Sequence, residues 1–387
     1  MEIYKGIGTD HCNHEDLIDF LNYVFGMNGT KSGFYRLLPK LYRPQYRPED
    51  YNFIVTDDGK LRGAVGAYPI KMSVMGEELS AIGIGNVAVH PFHRSKGYMK
   101  DCMKLAMDDA VAQGADFAVL GGRRQRYSYF GFEPAGVCGK FVLNQDNLRH
   151  SFGSAENTTG YTVKLLTAQD EDALAAIDAL VCTRRSHPVR WKDRMYDVLN
   201  NWESRVCAVY APDGAFAGYF LASEGDDVRE IDCVNRAHLQ GVVRACHAFM
   251  ERDEIEVTVP LHVTEVYDFL SDLCEACRVV HTENYNVFHY EKMVRACLNL
   301  KAAQETLCDG CVTMEIEGYA GREKLRMEVK DGKPSVTVVD GACDMQLTHR
   351  QAMGALFGLM PLERRAMPAA VRTWLPLPLF VPEVDND

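Results

Sequence analysis

The 387-residue chain lacks a long apolar run, a secretion signal and a disulfide-like cysteine pattern. Since a membrane-spanning helix needs roughly 20 consecutive apolar residues, the sequence predicts none. The residues Met1–Gly6 have neither the basic start nor the apolar stretch of a signal peptide. The 13 cysteines are an odd number without regular spacing, which predicts reduced thiols. These absences together predict a cytoplasmic protein.

The familiar nucleotide-binding glycine motifs are missing as well. No stretch fits the pattern G-x-x-x-x-G-K-[ST], which excludes a Walker-type phosphate site. The pair Gly83-x-Gly85 is no dinucleotide fingerprint, because the predicted strand continues past it instead of turning into a helix. Both classes of nucleotide site are therefore excluded.

Candidate metal ligands are few and badly spaced for a shared site. They are the C-x-x-C pairs Cys274/Cys277 and Cys308/Cys311 and the histidine pairs His11/His14 and His90/His93. Thirty residues separate the two cysteine pairs, whereas zinc ribbons use roughly 15–20. The first cysteine pair falls in a helical pattern, and the histidine pairs lack further ligands. We therefore expect no metal.

Positive charge is scarce in the middle of the chain. The net charge is −12, and residues 151–290 hold 12 Lys and Arg against 23 Asp and Glu. Residues 1–150, in contrast, hold 18 against 17. An acidic surface repels nucleic acids and anionic membranes and favours cationic small molecules or peptides. The alternative is an acidic face that only keeps the protein soluble.

The order of predicted elements divides the chain into three domains. With 47% hydrophobic and 25% charged residues the chain is globular, and its length suits two or three domains. Residues 1–150 alternate strands and helices, a small polar segment at 151–160 is typical of a linker, and the order then repeats loosely. A helix, strands and a further helix follow. We predict domains at 1–150, 151–290 and 291–387, the last being α+β.

The most informative segment runs from Asn86 to Lys100. An alternating strand ends before Pro91, and a basic loop with one glycine then opens a helix. Free backbone N–H groups at a helix N-terminus form an anion site. Gly97 would let the anion come close to the backbone, and Arg94 would add positive charge. The alternative is an ordinary strand-to-helix turn with solvated basic residues.

This segment resembles motif A of the GNAT acetyltransferases, V-x-V-x-P-x-x-R-x-x-G-x-G/A, which binds acetyl-CoA. The matching residues are Val87, Val89, Pro91, Arg94 and Gly97, and Met99 stands where most of the family has Gly or Ala. Residues 127–136 resemble motif B, in which an aromatic residue precedes F-G-F/Y. One helix and one strand lie between the two motifs, as they do in the family.

Over its whole length the sequence is similar to the enhanced intracellular survival (Eis) proteins. The C-terminal matches are 298–301, 309–310, 347–348, 356–358 and 377–385. The resemblance implies an α/β and α+β fold, with two GNAT-like domains (each a mixed central sheet flanked by helices) and a sterol-carrier-protein-like α+β domain. It also implies a homohexamer that moves acetyl groups from acetyl-CoA to amines, including aminoglycosides and lysine side chains.

The same resemblance implies the residues that bind acetyl-CoA. Backbone amides of the strand end would hold the pantetheine arm and carbonyl, the basic loop would take the pyrophosphate, and two residues after the next strand would add contacts. The implied residues are Val87, Ala88, Val89, Arg94, Ser95, Lys96, Gly97, Tyr98, Met99, Lys100, Gly122 and Arg123.

Two residues match the family's catalytic groups. Tyr127 stands at the position of the general acid, and a tyrosine with a pKa of about 10 is protonated at pH 7 and can reprotonate a thiolate. Tyr129 is the second candidate, because in an extended stretch it would share a face with Tyr127; either tyrosine could instead only pack the core. The family's base is the terminal α-carboxylate, here that of Asp387. A disordered tail beyond Pro382 is the alternative.

The sequence thus predicts an acetyl-CoA-dependent N-acetyltransferase that uses direct transfer in a ternary complex. The acceptor would be a cationic primary amine, aminoglycoside-like or polyamine-like, with neither nucleic acid nor membrane as partner. The second domain offers Asp232–His238 in place of the R-x-x-G loop, so we expect it to bind no acetyl-CoA and to wall the acceptor pocket. The alternatives are a non-catalytic binder of lipids or apolar ligands and a protein lysine acetyltransferase.

Overall fold

The structure is a computed structural model that describes residues 2–6, 13–27, 29, 33–359 and 362–387. Its strands are β1 Glu2–Lys5, β2 Asn52–Asp57, β3 Lys60–Val74, β4 Glu77–Val89, β5 Phe117–Leu120, β6 Glu133–Asn144, β7 Thr162–Leu165, β8 Ser186–Pro188, β9 Arg205–Tyr210, β10 Phe216–Ala222, β11 Asp227–Cys233, β12 Glu254–Pro260, β13 Ala276–Val287, β14 Gly310–Glu317, β15 Arg322–Lys330, β16 Lys333–Val338 and β17 Met345–Thr348.

Helices and short 3₁₀ turns connect these strands. The helices are α1 His14–Gly26, α2 Phe34–Leu37, α3 Pro39–Tyr42, α4 Tyr98–Ala112, α5 Arg124–Tyr127, α6 Gln145–Phe152, α7 Glu171–Val181, α8 Met195–Leu199, α9 Leu239–Met250, α10 Thr264–Leu273, α11 Tyr290–Ala302, α12 His349–Phe357 and α13 Ala369–Thr373. None of these helices is long and apolar enough to cross a membrane.

One mixed sheet of 13 strands runs through most of the chain. Its order is β1-β2-β3-β4-β5-β13-β6-β12-β11-β10-β9-β7, with β8 paired to β3. Strand β13 comes from the second predicted domain but lies between β5 and β6 of the first. The first two predicted domains therefore share one sheet, and the boundary at residue 150 stays a prediction.

The placement of Cys274 and Cys277 corrects one detail of the sequence analysis. We expected both residues in a helix, but Cys274 only caps the end of α10 and Cys277 already belongs to β13. In the described part of the chain no group of three or more His, Cys, Asp and Glu side chains stands close enough to hold a metal ion. The candidate ligand His11 lies outside the described residues.

The C-terminal part folds as a helix, a sheet and a helix, as predicted for a small α+β unit. Its sheet has the order β16-β15-β14-β17, and α11 and α12 pack against it. The apolar tail also docks on the body, because Trp374 and Leu377 are fully buried in the same core. This packing carries the last residues of the chain back toward the large sheet.

Strands β4 and β5 separate soon after they meet. They pair in parallel only from Ala81 to Gly83, while β4 continues along β3 as far as Val89. The gap between the two strands beyond Gly83 is here called the opening. Helix α4 covers one face of the sheet beside it, and this face is here called the α4 face. Residues Ile82 and Ile84 point to it. The opposite face, to which Ala81 points, packs on α11 and is here called the tail face.

Candidate active site

On the α4 face, a cavity of about 850 Å³ lies beside the opening between β4 and β5. Its lining residues are Val24, Phe25, Val87, Val89, Arg94, Ser95, Lys96, Gly97, Tyr98, Met99, Lys100, Arg123, Arg126, Tyr129 and Phe130. Most of the predicted acetyl-CoA residues therefore border one cavity. Of the two that do not, the Ala88 side chain packs in the core with α1, and Gly122 lies against Tyr127.

The basic loop before α4 has the shape of an anion site. Gly97 caps the helix with a φ of 88°, a conformation that favours glycine, and α4 then runs for 15 residues. Its first N–H groups lack helical acceptors and face the loop. Arg94, Arg123 and Arg126 form no ion pair with any described residue. Their charge is thus available to an anionic ligand such as a diphosphate.

A second basic residue of the loop is held by the protein itself. Lys96 Nζ lies 3.4 Å from Asp57 Oδ2, and the Tyr98 hydroxyl donates a hydrogen bond of 2.6 Å to the same oxygen. The hydrogen bond from Tyr98 is the main cause that lowers the pKa of Asp57, and Lys96 adds to it. Asp57 thereby ties the start of α4 to the β2–β3 turn and fixes the loop's position.

A bulge in β4 turns part of its backbone toward the opening. Asn86 and Val87 together stand opposite the single residue Val65, and Asn86 has a φ of 42°. The Tyr42 hydroxyl donates to Asn86 Oδ1 at 2.7 Å, and Asn86 Nδ2 donates to Asn52 Oδ1 at 2.7 Å. Because of the extra residue, Val87 and Val89 reach the α4 face. The sequence analysis missed this role of Asn86, although an asparagine inside a strand is unusual.

Tyr129 lines the cavity, whereas Tyr127 packs into the core beside it. The stretch is helical, with α5 ending at Tyr127 and a 3₁₀ turn over Ser128–Phe130, so the two tyrosines do not share a face. The expectation based on an extended chain was wrong. The Tyr127 ring is buried against Gly122, and burial raises the pKa of its hydroxyl. Tyr129 is 68% exposed and stacks under Lys100, whose Nζ lies 4.7 Å from the ring centroid.

Two buried asparagines of β13 hold the segment that carries Tyr127. Asn284 Nδ2 donates to the carbonyl of Gly122 at 2.9 Å, and Asn286 Nδ2 donates to the carbonyl of Phe130 at 2.8 Å. Backbone carbonyls in an irregular segment need such partners when they are buried. The sequence analysis did not find these residues, because their partners lie more than 150 positions away in the chain.

The last residue of the chain lies on the tail face of β4. A Cβ atom added to Gly83 would come 2.2 Å from Asp387 Oδ2, and one added to Gly85 would come 3.2 Å from the carboxyl carbon of Asp387. A Cβ atom at Gly83 would therefore force Asp387 or the strand to move, whereas at Gly85 the contacts would be tight, at 3.0 Å and above. The tail beyond Pro382 is thus packed into the molecule, with Asp385, Asn386 and Asp387 all buried.

A buried lysine neutralises part of this carboxylate. Lys40 Nζ lies 3.1 Å from Asp387 Oδ1 and donates a 2.8 Å hydrogen bond to the carbonyl of Asn386. Asp387 Oδ2 receives no hydrogen bond from any described residue. Burial raises the pKa of the Asp387 side chain, and Lys40 opposes that shift. Lys40 is therefore the cation that faces the Asp387 carboxylate, and the negative charge at Oδ2 has no hydrogen-bond donor among the described residues.

Further contacts from the second predicted domain fix the tail. Arg190 is fully buried and pairs with both Asp385 and Glu230, at 2.8 Å each. Asn201 Nδ2 donates to the carbonyl of Val384 at 3.1 Å. Glu230, one of the acidic residues of 151–290, is therefore paired inside the molecule, and three parts of the chain meet at the C-terminus.

Residues 10–135 match the sequence model of the acetyltransferase (GNAT) domain. A comparison with curated protein sequences gives no match.

Solved structures are similar to the chain over nearly its whole length. A GCN5-related N-acetyltransferase from Kribbella flavida is 16% identical with a TM-score of 0.65, covering 97% of this chain and 95% of its own. One from Anabaena variabilis is 14% identical with a TM-score of 0.67, covering 99% and 98%. Eis1 from Mycobacterium abscessus is 16% identical with a TM-score of 0.60, covering 92% and 89%. Residues 10–135 therefore carry an acetyltransferase (GNAT) domain, and the chain as a whole has the fold of these proteins.

Proposed function

We propose that the protein is an acetyl-CoA-dependent N-acetyltransferase that acetylates a primary amine of a cationic small molecule, aminoglycoside-like or polyamine-like. One observation carries this proposal. The opening between β4 and β5 has an anion-binding loop and cavity on its α4 face and the carboxylates of Asp387 on its tail face. A thioester held on the α4 face would therefore lie across β4 from the carboxylates that take the proton of the attacking amine.

The α4 face suits the long anionic cosubstrate. The start of α4 with Arg94 and Arg123 would bind the pyrophosphate, and the bulge at Val87 would offer a backbone N–H to the thioester carbonyl. The cavity joins the two places along the edge of β4. Acetyl-CoA thus fits the residues present, in the order in which its phosphate and acyl ends occur.

Direct transfer needs one group that gives a proton and one that takes a proton. The amine nitrogen attacks the thioester carbon, the C–N bond forms, and the C–S bond breaks with its electron pair left on sulfur. The Tyr127 hydroxyl, kept protonated by burial, donates its proton to the thiolate. The α-carboxylate of Asp387 takes the proton that the amine releases. In this proposal Tyr127, in the core under the α4 face, and Asp387, on the tail face, act from opposite sides of the sheet.

The remaining parts of the chain support the site in this proposal. In the second domain, the segment that begins at Asp232 stands where the first domain has its basic loop. Asp232 is acidic and pairs with Arg184, so this segment offers no second anion site. The inner face of the C-terminal sheet is filled by fully buried side chains such as Met314, Leu325 and Trp374, which favours a structural role over that of a lipid carrier. Membership of the Eis-like group, the hexamer and the cytoplasmic location belong to the same proposal.

The proposal is tested by mixing the protein with acetyl-CoA and single amines and measuring released CoA thiol. The panel contains alkyl diamines, aminoglycosides and a lysine peptide. We expect release with the small cationic amines, and calorimetry should show acetyl-CoA binding that Arg94→Glu weakens by about 10-fold or more, the size of a lost contact to a charged group. Release with the lysine peptide alone would favour a protein acetyltransferase. Absence of binding together with co-purified lipid would overturn the proposal.

A further inference from the structure

A second carboxylate, that of Glu283, lies on the same face of the sheet as the C-terminus. In the ladders, Gly83 pairs with Val119 of β5, and Val119 pairs with Tyr285 of β13. Residues paired across a sheet project to one face, and a step of two along each strand keeps that face. Three residues therefore lie on the tail face: Gly85 of β4, Gly121 directly after β5, and Glu283 of β13.

The Glu283 side chain leans over the opening. Its Oε2 lies 3.4 Å from the position of a Cβ atom on Gly121, the exposed residue that directly follows β5. The carboxyl is half-buried, and no described residue forms an ion pair with it. Asn386, the residue before Asp387, forms a hydrogen bond with the Glu283 side chain, so Glu283 lies beside the end of the tail.

The charged groups around Glu283 are few and mostly negative. Glu383 faces it from the tail, with its own charge partly taken by Arg229 at 3.3 Å, and Asn386 is the polar neighbour beside it. The residue paired with Glu283 on β6 is Ala135, which carries no charge. The pKa of Glu283 is raised to about 7, chiefly by burial and then by Glu383, while the hydrogen bond with Asn386 lowers it. No described residue supplies a cation to the Glu283 carboxylate, so that a cationic ligand can take this place.

We propose that Glu283 binds a second ammonium group of the acceptor, so that the protein prefers diamines or polyamines to monoamines. This inference rests on the proposed acetyl transfer. One amino group would meet the thioester in the opening beside Asp387, while the other would pair with Glu283 over Gly121. The second domain would thereby set acceptor specificity through the one strand that it inserts into the first.

The pairing has a predictable pH dependence. The Glu283 carboxyl is neutral below its pKa of about 7 and charged above it. Alkyl ammonium groups keep their charge over this range. The ratio of the diamine KM to the KM of a monoamine of the same length should therefore fall as pH rises from 6 to 8, because the deprotonation of the reacting nitrogen is common to both amines.

The test compares 1,5-diaminopentane with pentylamine in the full-length protein and in Glu283→Gln. We expect the substitution to raise the diamine KM by about 10-fold and to leave the pentylamine KM unchanged. It should also abolish the pH dependence of the ratio of the two KM values. Glu383→Gln is the matched control, since its side chain is half exposed on the same tail. That variant should keep the preference for the diamine. The pH midpoint at which this preference appears should move to lower pH, because Glu383 raises the pKa of Glu283.

The outcomes separate this inference from the function on which it rests. An unchanged diamine KM in Glu283→Gln, or equal KM values for the two amines in the native protein, would overturn the inference while acetyl transfer stands. Loss of CoA release with every amine in the native protein would overturn both. Should Glu283→Gln fail to fold, Glu283→Asp keeps the charge on a shorter side chain. We then expect a smaller rise in the diamine KM with the pH dependence retained, and a native diamine KM would contradict the inference.

Discussion

Asp387, the last residue of the chain, rests on Gly83 of β4 so closely that a Cβ atom there would come 2.2 Å from its Oδ2. Residues 304 positions apart in the sequence are thus in direct contact. This contact explains why the strand carries Gly83-x-Gly85, a pattern that fits no nucleotide motif. The two glycines make room for the C-terminus on the tail face.

Gly83→Ala should displace Asp387 from its present position and with it the α-carboxylate. The added methyl group cannot coexist with Asp387 in its present position, and backbone atoms of a central strand cannot give way easily. We expect kcat to fall by about 10²-fold, as for the loss of a general base, with acetyl-CoA affinity unchanged. CoA release and calorimetry measure the two quantities.

Gly63→Ala on the neighbouring strand is the control for that substitution. A Cβ atom at Gly63 would meet nothing closer than 3.5 Å, which is an ordinary contact. The control should keep native turnover. Native turnover in Gly83→Ala as well would mean that the position of Asp387 does not matter for the reaction.

Lys40→Met should destabilise the fold, because it leaves a buried carboxylate without its cation. Breaking a buried pair by removing one partner costs about 3–5 kcal/mol in the free energy of unfolding. Denaturant unfolding measures this change. Lys104→Met removes an exposed pair with Asp108 at 2.6 Å and should cost less than about 1 kcal/mol. Equal effects of the two substitutions would show that the pair of Lys40 and Asp387 is not buried in solution.

Tyr127→Phe should lower kcat by about 10²-fold or more without changing acetyl-CoA affinity, since it removes only the hydroxyl that reprotonates the thiolate. Tyr129→Phe serves as the matched control on the exposed ring under Lys100 and should leave kcat near its native value. Steady-state kinetics of CoA release at saturating amine distinguish the two. The opposite ranking of the variants would assign the proton transfer to Tyr129.

Local patterns in the sequence were enough to predict the elements of the first lobe. The strand end before Pro91, the turn at Gly97 and the helix that begins after it all depend on neighbours within a few residues. The structure confirmed these elements. Tyr129 was misplaced, because a stretch of four to seven residues does not distinguish a short helix from an extended chain.

Contacts between distant parts of the chain were beyond the reach of such patterns. Strand β13 carries Glu283, Asn284 and Asn286, and polar residues of this kind do not indicate a strand in the middle of a sheet. Their carbonyl partners and the opening itself lie in the first lobe. The ion pair of Lys40 with Asp387 has no local signal either, since each residue alone reads as exposed.

The measurement that tests the account most directly is CoA release by the protein with a short peptide added after Asp387. The extension removes the free α-carboxylate and cannot be housed in the buried position that Asp387 occupies. We predict that turnover with a small diamine falls by about 10²-fold while acetyl-CoA binding, on the other face of the sheet, keeps its native affinity. Full turnover by the extended protein would contradict the account.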